Sequence, residues 1–187
     1  MIVTSPPVFL CDLSTLPRTG LKGAGAADFL GARGFPVPEQ HNEWLAYRNG
    51  IVARLGHTEF LLESGADDWT HELGFDTLPA MDVVPILRED SSLLLGGAHV
   101  LDLFARTCSF EFAALRDRPR EVVMTQMIGV SITALALSFA PTPAYRLWCD
   151  PSFGDYIAHS LAQISMELGG INVEPQQLTT YLPGYAP

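Results

Sequence analysis

Two short segments built on glycine and alanine constrain the fold of this sequence more than any other feature. Residues 25–34 (GAADFLGARG) and residues 97–107 (GAHVLDLFART) both place apolar side chains at helical spacing. Gly34 is a suitable end for the first helix, because glycine readily adopts the left-handed conformation found after many helices. Each segment is set against strand-like sequence, which predicts an internal pseudo-repeat of two halves.

The sequence around these helices alternates between strand and turn signals. Residues 51–55 (IVARL) and 59–63 (EFLLE) flank Gly56 and predict a hairpin. Residues 82–87 and 92–95 are predicted to form a second strand pair. Other strands are predicted at 8–13, 122–126, 130–138 and 145–149, with a turn at 17–20 and a long helix from Pro151 to Gly169. Short helices between hairpins predict an α+β fold, specifically a ferredoxin-like pseudo-repeat with antiparallel sheets and packed helices.

The two ends of the chain differ from its middle. Residues 1–10 contain two adjacent prolines and are predicted to be an N-terminal arm, whereas residues 11–170 are predicted to form a single unit of two pseudo-repeated halves. Residues 171–187 show no periodicity and contain three prolines, so they are predicted to be an extended C-terminal tail. The aromatic and apolar residues of this tail indicate that it docks, either on a partner or on its own domain.

The composition is apolar and acidic. Charged residues make up 17% of the 187 residues, against about 25% in a typical protein, and hydrophobic residues make up 48%. Two explanations remain open: apolar surface buried against partner subunits, which we favour, or a dense core beneath a bland surface. The net charge is −10, and the densest basic patch is residues 116–120 (RDRPR). Nucleic-acid binding is therefore not expected.

Features of cellular location are few. Cys11, Cys108 and Cys149 are odd in number and widely spaced, which argues against a disulfide framework. The first ten residues lack the basic and apolar regions of a signal peptide. The longest apolar run, residues 127–141, is too short and interrupted to span a bilayer. We therefore expect a protein of the reducing cytoplasm with no membrane association.

Two possible functional motifs, a dinucleotide-binding fingerprint and a thiol nucleophile with its base, are better explained as structural features. Gly23 and Gly25 form a Gly-x-Gly before a helix, but the third glycine of a dinucleotide fingerprint is absent, and tight helix packing explains them. Cys149, Asp150 and His159 could be a thiol nucleophile with a base, yet a buried structural cysteine is the preferred interpretation.

Metal ligands are also poorly arranged in the sequence. The cysteines lack CxxC spacing, and the histidines are interpreted as having no i,i+4 partner of ligand type. These are His41, His57, His71, His99 and His159. We predict no catalytic, cofactor-binding or metal-ligating residue in this chain.

Several segments resemble known proteins in their order along the chain. Residues 11–30 (CDLSTLPRTGLKGAGAADFL) resemble the opening of folate-binding-type domains of glycine-cleavage aminomethyltransferases, and residues 54–63 (RLGHTEFLLE) resemble the hairpin that follows. Residues 108–115 (CSFEFAAL) and the sequence from 125–135 into YRLWCDPSFGDYIAHSL resemble the second half of the gamma subunit of heterotetrameric sarcosine oxidases. The resemblance extends over residues 11–168.

The resemblance implies a non-catalytic structural subunit of a complex that oxidatively demethylates an N-methyl amine such as sarcosine. FAD, FMN, NAD, tetrahydrofolate and zinc would be held by partner subunits, namely larger flavin- and folate-carrying subunits and a small zinc subunit. Asp12 matches the opening Asp-x-Ser and is interpreted as a fold signature. The chain lacks the C-terminal barrel of aminomethyltransferases. A stand-alone folate-dependent one-carbon protein and a folate-domain-like assembly factor remain the alternatives.

Overall fold

The protein is described by a computed structural model that covers residues 6–75, 82–137 and 141–185. The strands are β1 (Phe9–Asp12), β2 (Arg18–Lys22), β3 (Glu43–Tyr47), β4 (Gly50–Arg54), β5 (Glu59–Glu63), β6 (Val84–Leu87), β7 (Ser91–Gly96), β8 (Val122–Met127), β9 (Val130–Leu137), β10 (Ala144–Cys149) and β11 (Ile171–Asn172). The α-helices are α1 (Ala26–Ala32), α2 (Val100–Thr107), α3 (Gly154–Glu167) and α4 (Leu178–Tyr181). The predicted α+β class with antiparallel sheets is confirmed.

The chain divides into two compact units. Unit 1 takes its described residues from Met1–Thr15 and Asp90–Tyr185, and unit 2 is Leu16–Glu89. Unit 1 holds a sheet of order β11-β1-β7-β10-β9-β8, and unit 2 a sheet of order β3-β4-β5-β2-β6. In the sheet of unit 1, β1 and β11 form a parallel pair. All other neighbouring strands in the two sheets are antiparallel. Folding of residues 11–170 as a single unit stays a prediction.

The predicted pseudo-repeat is present in the strand order of the two units. In unit 1, β7 leads into α2, and the antiparallel strands β8, β9 and β10 follow; in unit 2, β2 leads into α1 and then β3, β4 and β5. Each unit also has a strand on the other side of its first strand, β1 against β7 and β6 against β2. The order β1-β7-β10-β9-β8 therefore repeats as β6-β2-β5-β4-β3.

One glycine in each unit sets the turn from the first strand into the helix. Gly23 and Gly97 have φ angles of 130° and 116°, where side chains are rarely accommodated. A Cβ on Gly23 would lie 1.9 Å from the carbonyl oxygen of Asp82, and one on Gly97 would lie 2.4 Å from that of Pro7. The second residue after each glycine donates its N–H to the same carbonyl, at 3.2 Å in unit 2 and 2.8 Å in unit 1. Close packing thus accounts for the Gly-x-Gly without a dinucleotide.

The core of unit 1 lies between one face of its sheet and the helices α2 and α3. Helix α2 buries Val100, Leu103, Phe104 and Thr107, which recur at positions i, i+3, i+4 and i+7 and therefore share one face. The ring of Phe104 lies 5.0 Å from that of Tyr145 on β10, edge to face. Burial of such side chains stabilises the unit by about 1.5–3 kcal/mol each.

The core of unit 2 is smaller, and helix α1 and the short 3-10 helix Thr70–Leu73 both contribute to it. Helix α1 buries Ala26, Phe29 and Leu30 against strand residues that include Phe60 and Leu62. The hairpin predicted around Gly56 is confirmed, because β4 and β5 pair in antiparallel register. A nearly fully buried ion pair, Arg18 to Glu63 at 2.6 Å, joins β2 to β5 in the same sheet.

The prediction that residues 171–187 form an extended tail is wrong for part of this segment. Residues 171–172 form β11, and residues 178–181 form α4, whose Leu178 is fully buried together with Leu182. Tyr181 stacks on Phe9 of β1, with ring centroids 5.5 Å apart. Of the two alternatives for the tail, its described residues therefore pack on their own unit. Residues 6–10 of the predicted N-terminal arm contribute the start of β1.

The predicted strand pair 82–87 with 92–95 is wrong. Strand β6 pairs with β2 of unit 2, whereas β7 pairs with β1 and β10 of unit 1. A central strand such as β7, with Leu94 and Leu95 fully buried, takes both of its neighbours from its own sheet. The predicted turn at 17–20 is also wrong, because β2 begins at Arg18.

Candidate functional site

The thiol, acid and histidine considered as a nucleophilic set do not assemble. Cys149 is buried at the end of β10, and burial raises the pKa of its thiol to about 11, with the carboxylates of Asp150 and Asp90 raising it further. Asp150 accepts the N–H of Ser152 at 2.8 Å, which caps the turn before α3. His159 lines a cleft that does not include Cys149. A protonated thiol is a poor nucleophile, so the structural interpretation of Cys149 stands.

A buried guanidinium on β10 was missed by sequence reasoning. Arg146 is fully buried and donates to the hydroxyl oxygen of Ser92 at 2.7 Å, and its guanidinium carbon lies 5.5 Å from the ring centroid of Trp148. Burial raises the pKa of the Cys11 thiol to about 12, although the charge of Arg146 opposes this rise. The available signal was a charged residue inside the apolar strand sequence YRLWC, since buried charges need polar partners.

The Asp-x-Ser opening has a structural role. The Asp12 carboxylate accepts the N–H of Ser14 at 2.8 Å, which forms a local turn after β1. The hydroxyl oxygen of Ser14 accepts the N–H of Ser92 on β7 at 3.0 Å, and Leu13 donates its N–H to the carbonyl of Ser92 at 2.7 Å. The motif therefore ties the end of β1 to the start of β7, as expected of a fold signature.

The histidine prediction needs one correction. Asp155 and His159 are four residues apart on α3, so a histidine does have an i,i+4 partner of ligand type. Both line a cleft of about 400 Å³ in unit 1, together with Asp12 and Glu174. Across residues 6–75, 82–137 and 141–185, no group of three or more histidine, cysteine or acidic side chains is arranged to hold a metal ion.

Exposed apolar side chains form the clearest candidate functional surface of unit 2. They lie on the edge strand β6, where Leu87 is 79% exposed and Val84 is 60% exposed. Val84 and Leu87 are three positions apart in a strand, so each face of the sheet carries an exposed apolar side chain at this edge. Pro85, between them, lacks the N–H that a further strand would need from this edge. Contact through side chains is therefore favoured over extension of the sheet.

Unit 1 also exposes apolar side chains, on and beside α3. Phe153 is 48% exposed and Tyr156 is 53% exposed, near the start of this helix, and Met166 near its end is 62% exposed. The Tyr156 hydroxyl donates to the carbonyl of Ile128 at 3.3 Å, which fixes this ring against the β8–β9 turn.

Of the helices in the described parts of the chain, none has the length and apolar character needed to cross a bilayer.

Solved structures share this fold, although no protein-family model and no curated protein sequence matches the chain. One is a heterotetrameric sarcosine oxidase from Corynebacterium sp. U-96 in complex with pyrrole 2-carboxylate: the match has a TM-score of 0.74 and 17% identity and covers 90% of this chain and 88% of that chain. Another is the glycine cleavage system aminomethyltransferase T from Bartonella henselae, with a TM-score of 0.61 and 15% identity.

The two matches differ in how much of the other protein they include. The aminomethyltransferase match covers 91% of this chain but 48% of that chain, so the present chain spans about half the length of the transferase. At 15–17% identity the likeness shows the fold. The fold resemblance predicted from residues 11–168, to aminomethyltransferase folate-binding domains and to a sarcosine oxidase chain, is therefore confirmed.

Proposed function

We propose that this chain is a non-catalytic, gamma-type subunit of a heterotetrameric flavoenzyme complex, similar to sarcosine oxidase, that oxidatively demethylates an N-methyl amine. The observation that carries the proposal is the nearly complete two-way match with the sarcosine oxidase chain, which covers 90% of one chain and 88% of the other. A subunit role is supported because a match over 90% of this chain extends over both of its units.

Two physical features support a role through contact. Apolar side chains on β6 and around α3 lie in water in the isolated chain, where burial against partner subunits would stabilise a complex by about 25 cal/mol per Å² of apolar area. The two most buried thiols, Cys11 and Cys149, have raised pKa values and stay protonated at neutral pH. Their chemistry is that of core residues.

The cofactors belong to the proposal through the partners. FAD, FMN, NAD, tetrahydrofolate and zinc would be carried by larger flavin- and folate-binding subunits and by a small zinc subunit. This chain would hold those subunits in place without contributing a side chain to the reaction.

Purification from the native cell tests the proposal. A tagged chain is expected to elute from gel filtration with larger subunits that show flavin absorbance, and the purified complex is expected to oxidise an N-methyl amine. The chain alone is expected to show no such activity. A stable monomer with no flavin protein attached, or one with amine oxidase activity of its own, would contradict the proposal.

An alternative function is favoured by the aminomethyltransferase match, which covers 91% of this chain. In that case the isolated chain would be a folate-dependent one-carbon protein. Calorimetric titration with tetrahydrofolate separates the two functions, because micromolar binding by the isolated chain supports the alternative and the lack of binding removes it. A folate-domain-like assembly factor would instead bind its client subunits transiently and be lost during gel filtration.

A further inference from the structure

A cleft in unit 1 combines apolar walls with one arginine that has no acidic partner among the described residues. Its volume is about 300 Å³, and it lies where the turn after residues 112–116 meets the ends of β9 and β10. Leu115, Ala136 and Tyr145 contribute buried side chains to its lining, and Pro119 and Pro143 contribute rigid ones. Prolines have a fixed φ, so this part of the lining is largely formed before anything binds.

Arg116 is exposed and lines the same cleft. Burial raises the pKa of the Tyr145 hydroxyl, and the nearby Arg116 guanidinium opposes this rise. Among the described residues, Arg116 forms no ion pair, whereas Arg118, two positions later, pairs with Glu121 at 2.7 Å. A guanidinium has five N–H donors in a planar fork, so it can bind a carboxylate through two of them.

The charge of this patch is opposite to that of the whole chain. The chain has a net charge of −10, and residues 116–120 (RDRPR) are its densest basic segment. The acidic surface of the chain repels an acidic partner, whereas the basic segment 116–120 attracts it. This contrast in charge determines where and in which register such a partner docks. The apolar lining selects a side chain beside the carboxylate, because burying it removes apolar area from water.

We propose that the Arg116 cleft is the docking point for an acidic segment of a partner subunit, which places an apolar side chain in the cleft and a carboxylate on Arg116. This inference rests on the proposed function, since the partner is a larger subunit of the same complex. It adds the surface of this chain that contacts the partner and the chemistry of the partner's contacting segment.

The test compares two arginine variants in the assembled complex. The full chain is titrated against the larger subunits with which the wild type purifies, and Kd is measured for wild type, Arg116→Glu and Arg48→Glu. Arg48 is an exposed arginine of unit 2, so its variant has the same change in charge. Arg116→Glu is expected to bind at least tenfold more weakly, and Arg48→Glu within twofold of wild type. Thermal unfolding checks that both variants fold.

The outcomes separate the two proposals. If the complex forms and Arg116→Glu binds as tightly as wild type, the docking point is wrong while the proposed function holds. If the wild type forms no complex, the proposed function fails. The isolated chain is then titrated with the probe peptide acetyl-Glu-Leu-Phe-Glu-amide by NMR. Shifts confined to residues 112–121 and 136–145 that vanish in Arg116→Glu support the site, and the lack of such shifts overturns it.

Discussion

The two units build the same five-strand order but finish its edge in different ways. In unit 1 the strand β1 is covered on its outer side by β11, and Tyr181 of the C-terminal segment stacks on its Phe9. In unit 2 the equivalent strand β6 ends the sheet and exposes Val84 and Leu87. The two units share the first strand, the glycine turn, the helix and the three strands that follow, and they differ at the edge beside the first strand.

The difference teaches where such a repeat is free to diverge. The turn glycines, Gly23 and Gly97, are constrained in both units by the carbonyl oxygen of a residue two positions before the neighbouring strand. The outer side of β6 has no neighbouring strand among the described residues, so no such contact constrains it. Edges left uncovered are liabilities in isolated proteins. In the proposed complex, the exposed edge of unit 2 would therefore be a place for contact with other subunits.

The largest expected effect concerns the buried charge of unit 2. Glu63→Ala removes the carboxylate that pairs with the buried Arg18 and should lower the free energy of unfolding by about 3–5 kcal/mol. Glu72→Ala breaks the exposed Arg48–Glu72 pair in the same unit and should change stability little. Urea denaturation of both variants measures the contrast. Equal losses in the two variants would show that burial does not decide the strength of this pair.

The covered and uncovered edges can be compared by truncating one leucine on each. Leu182→Ala, in the segment that packs on unit 1, should lower the free energy of unfolding by about 2–5 kcal/mol, because this side chain is fully buried. Leu87→Ala on β6 should change it by less than about 0.5 kcal/mol. Chemical denaturation measures both. A small effect of Leu182→Ala would mean that the C-terminal segment is weakly held.

The glycine turns are expected to respond alike in the two units. Gly23→Ala and Gly97→Ala should each cost about 1–3 kcal/mol from backbone strain, with a further cost from the clash with the carbonyl oxygen. Gly34→Ala is the matched control: its φ is 77°, but nothing lies within 4 Å of the added Cβ. It should therefore cost less than either variant in thermal unfolding. A benign Gly97→Ala beside a costly Gly23→Ala would break the equivalence of the turns.

The smallest effect is a pH dependence specific to unit 1, since unit 2 contains no cysteine. The thiol pKa is raised to about 12 at Cys11 and to about 11 at Cys149, so the folded state keeps both protons to higher pH than the unfolded state. Their contribution is present below pH 9 and is lost as the pH rises toward 11–12, by about 1 kcal/mol per thiol at pH 10.

Urea titrations at pH 8 and pH 10 measure this loss. The double variant Cys11→Ala, Cys149→Ala should lose less stability between the two pH values than wild type. Cys108→Ala, at a partly buried position, is the control and should behave as wild type does. An unchanged pH dependence in the double variant would refute the assignment.

Local patterns were sufficient to predict much of the fold. Helical spacing located α1 and α2, and Gly56 located the β4–β5 hairpin, because these elements depend on residues close in sequence. The strand partners of β6 and β7 could not be predicted. Strands adjacent in sequence normally pair with each other, but these two belong to different units and therefore to different sheets. The strand β2 was hidden by Pro17 and Gly20, which are common in turns.

The candidate surfaces were less accessible from sequence. Residues 116–120 stood out as the densest basic patch, but the cleft beside Arg116 is completed by Ala136 and Tyr145, which are distant in sequence. Likewise, the exposure of Leu87 depends on β6 being an edge strand, which no local pattern reveals. Sequence supplied the charge and the apolar residues, and tertiary structure decided which of them faces water.

The pairing of β1 with β7 has a consequence for synthesis on the ribosome. Strand β1 is made first, yet the strand that receives it begins at Ser91, several seconds later at about 5–20 residues per second. All of Leu16–Glu89 emerges in that interval and can complete its own sheet. Phe9 and Leu10 of the nascent chain therefore remain exposed while unit 2 folds. A chaperone that binds exposed apolar segments would have several seconds in which to bind β1.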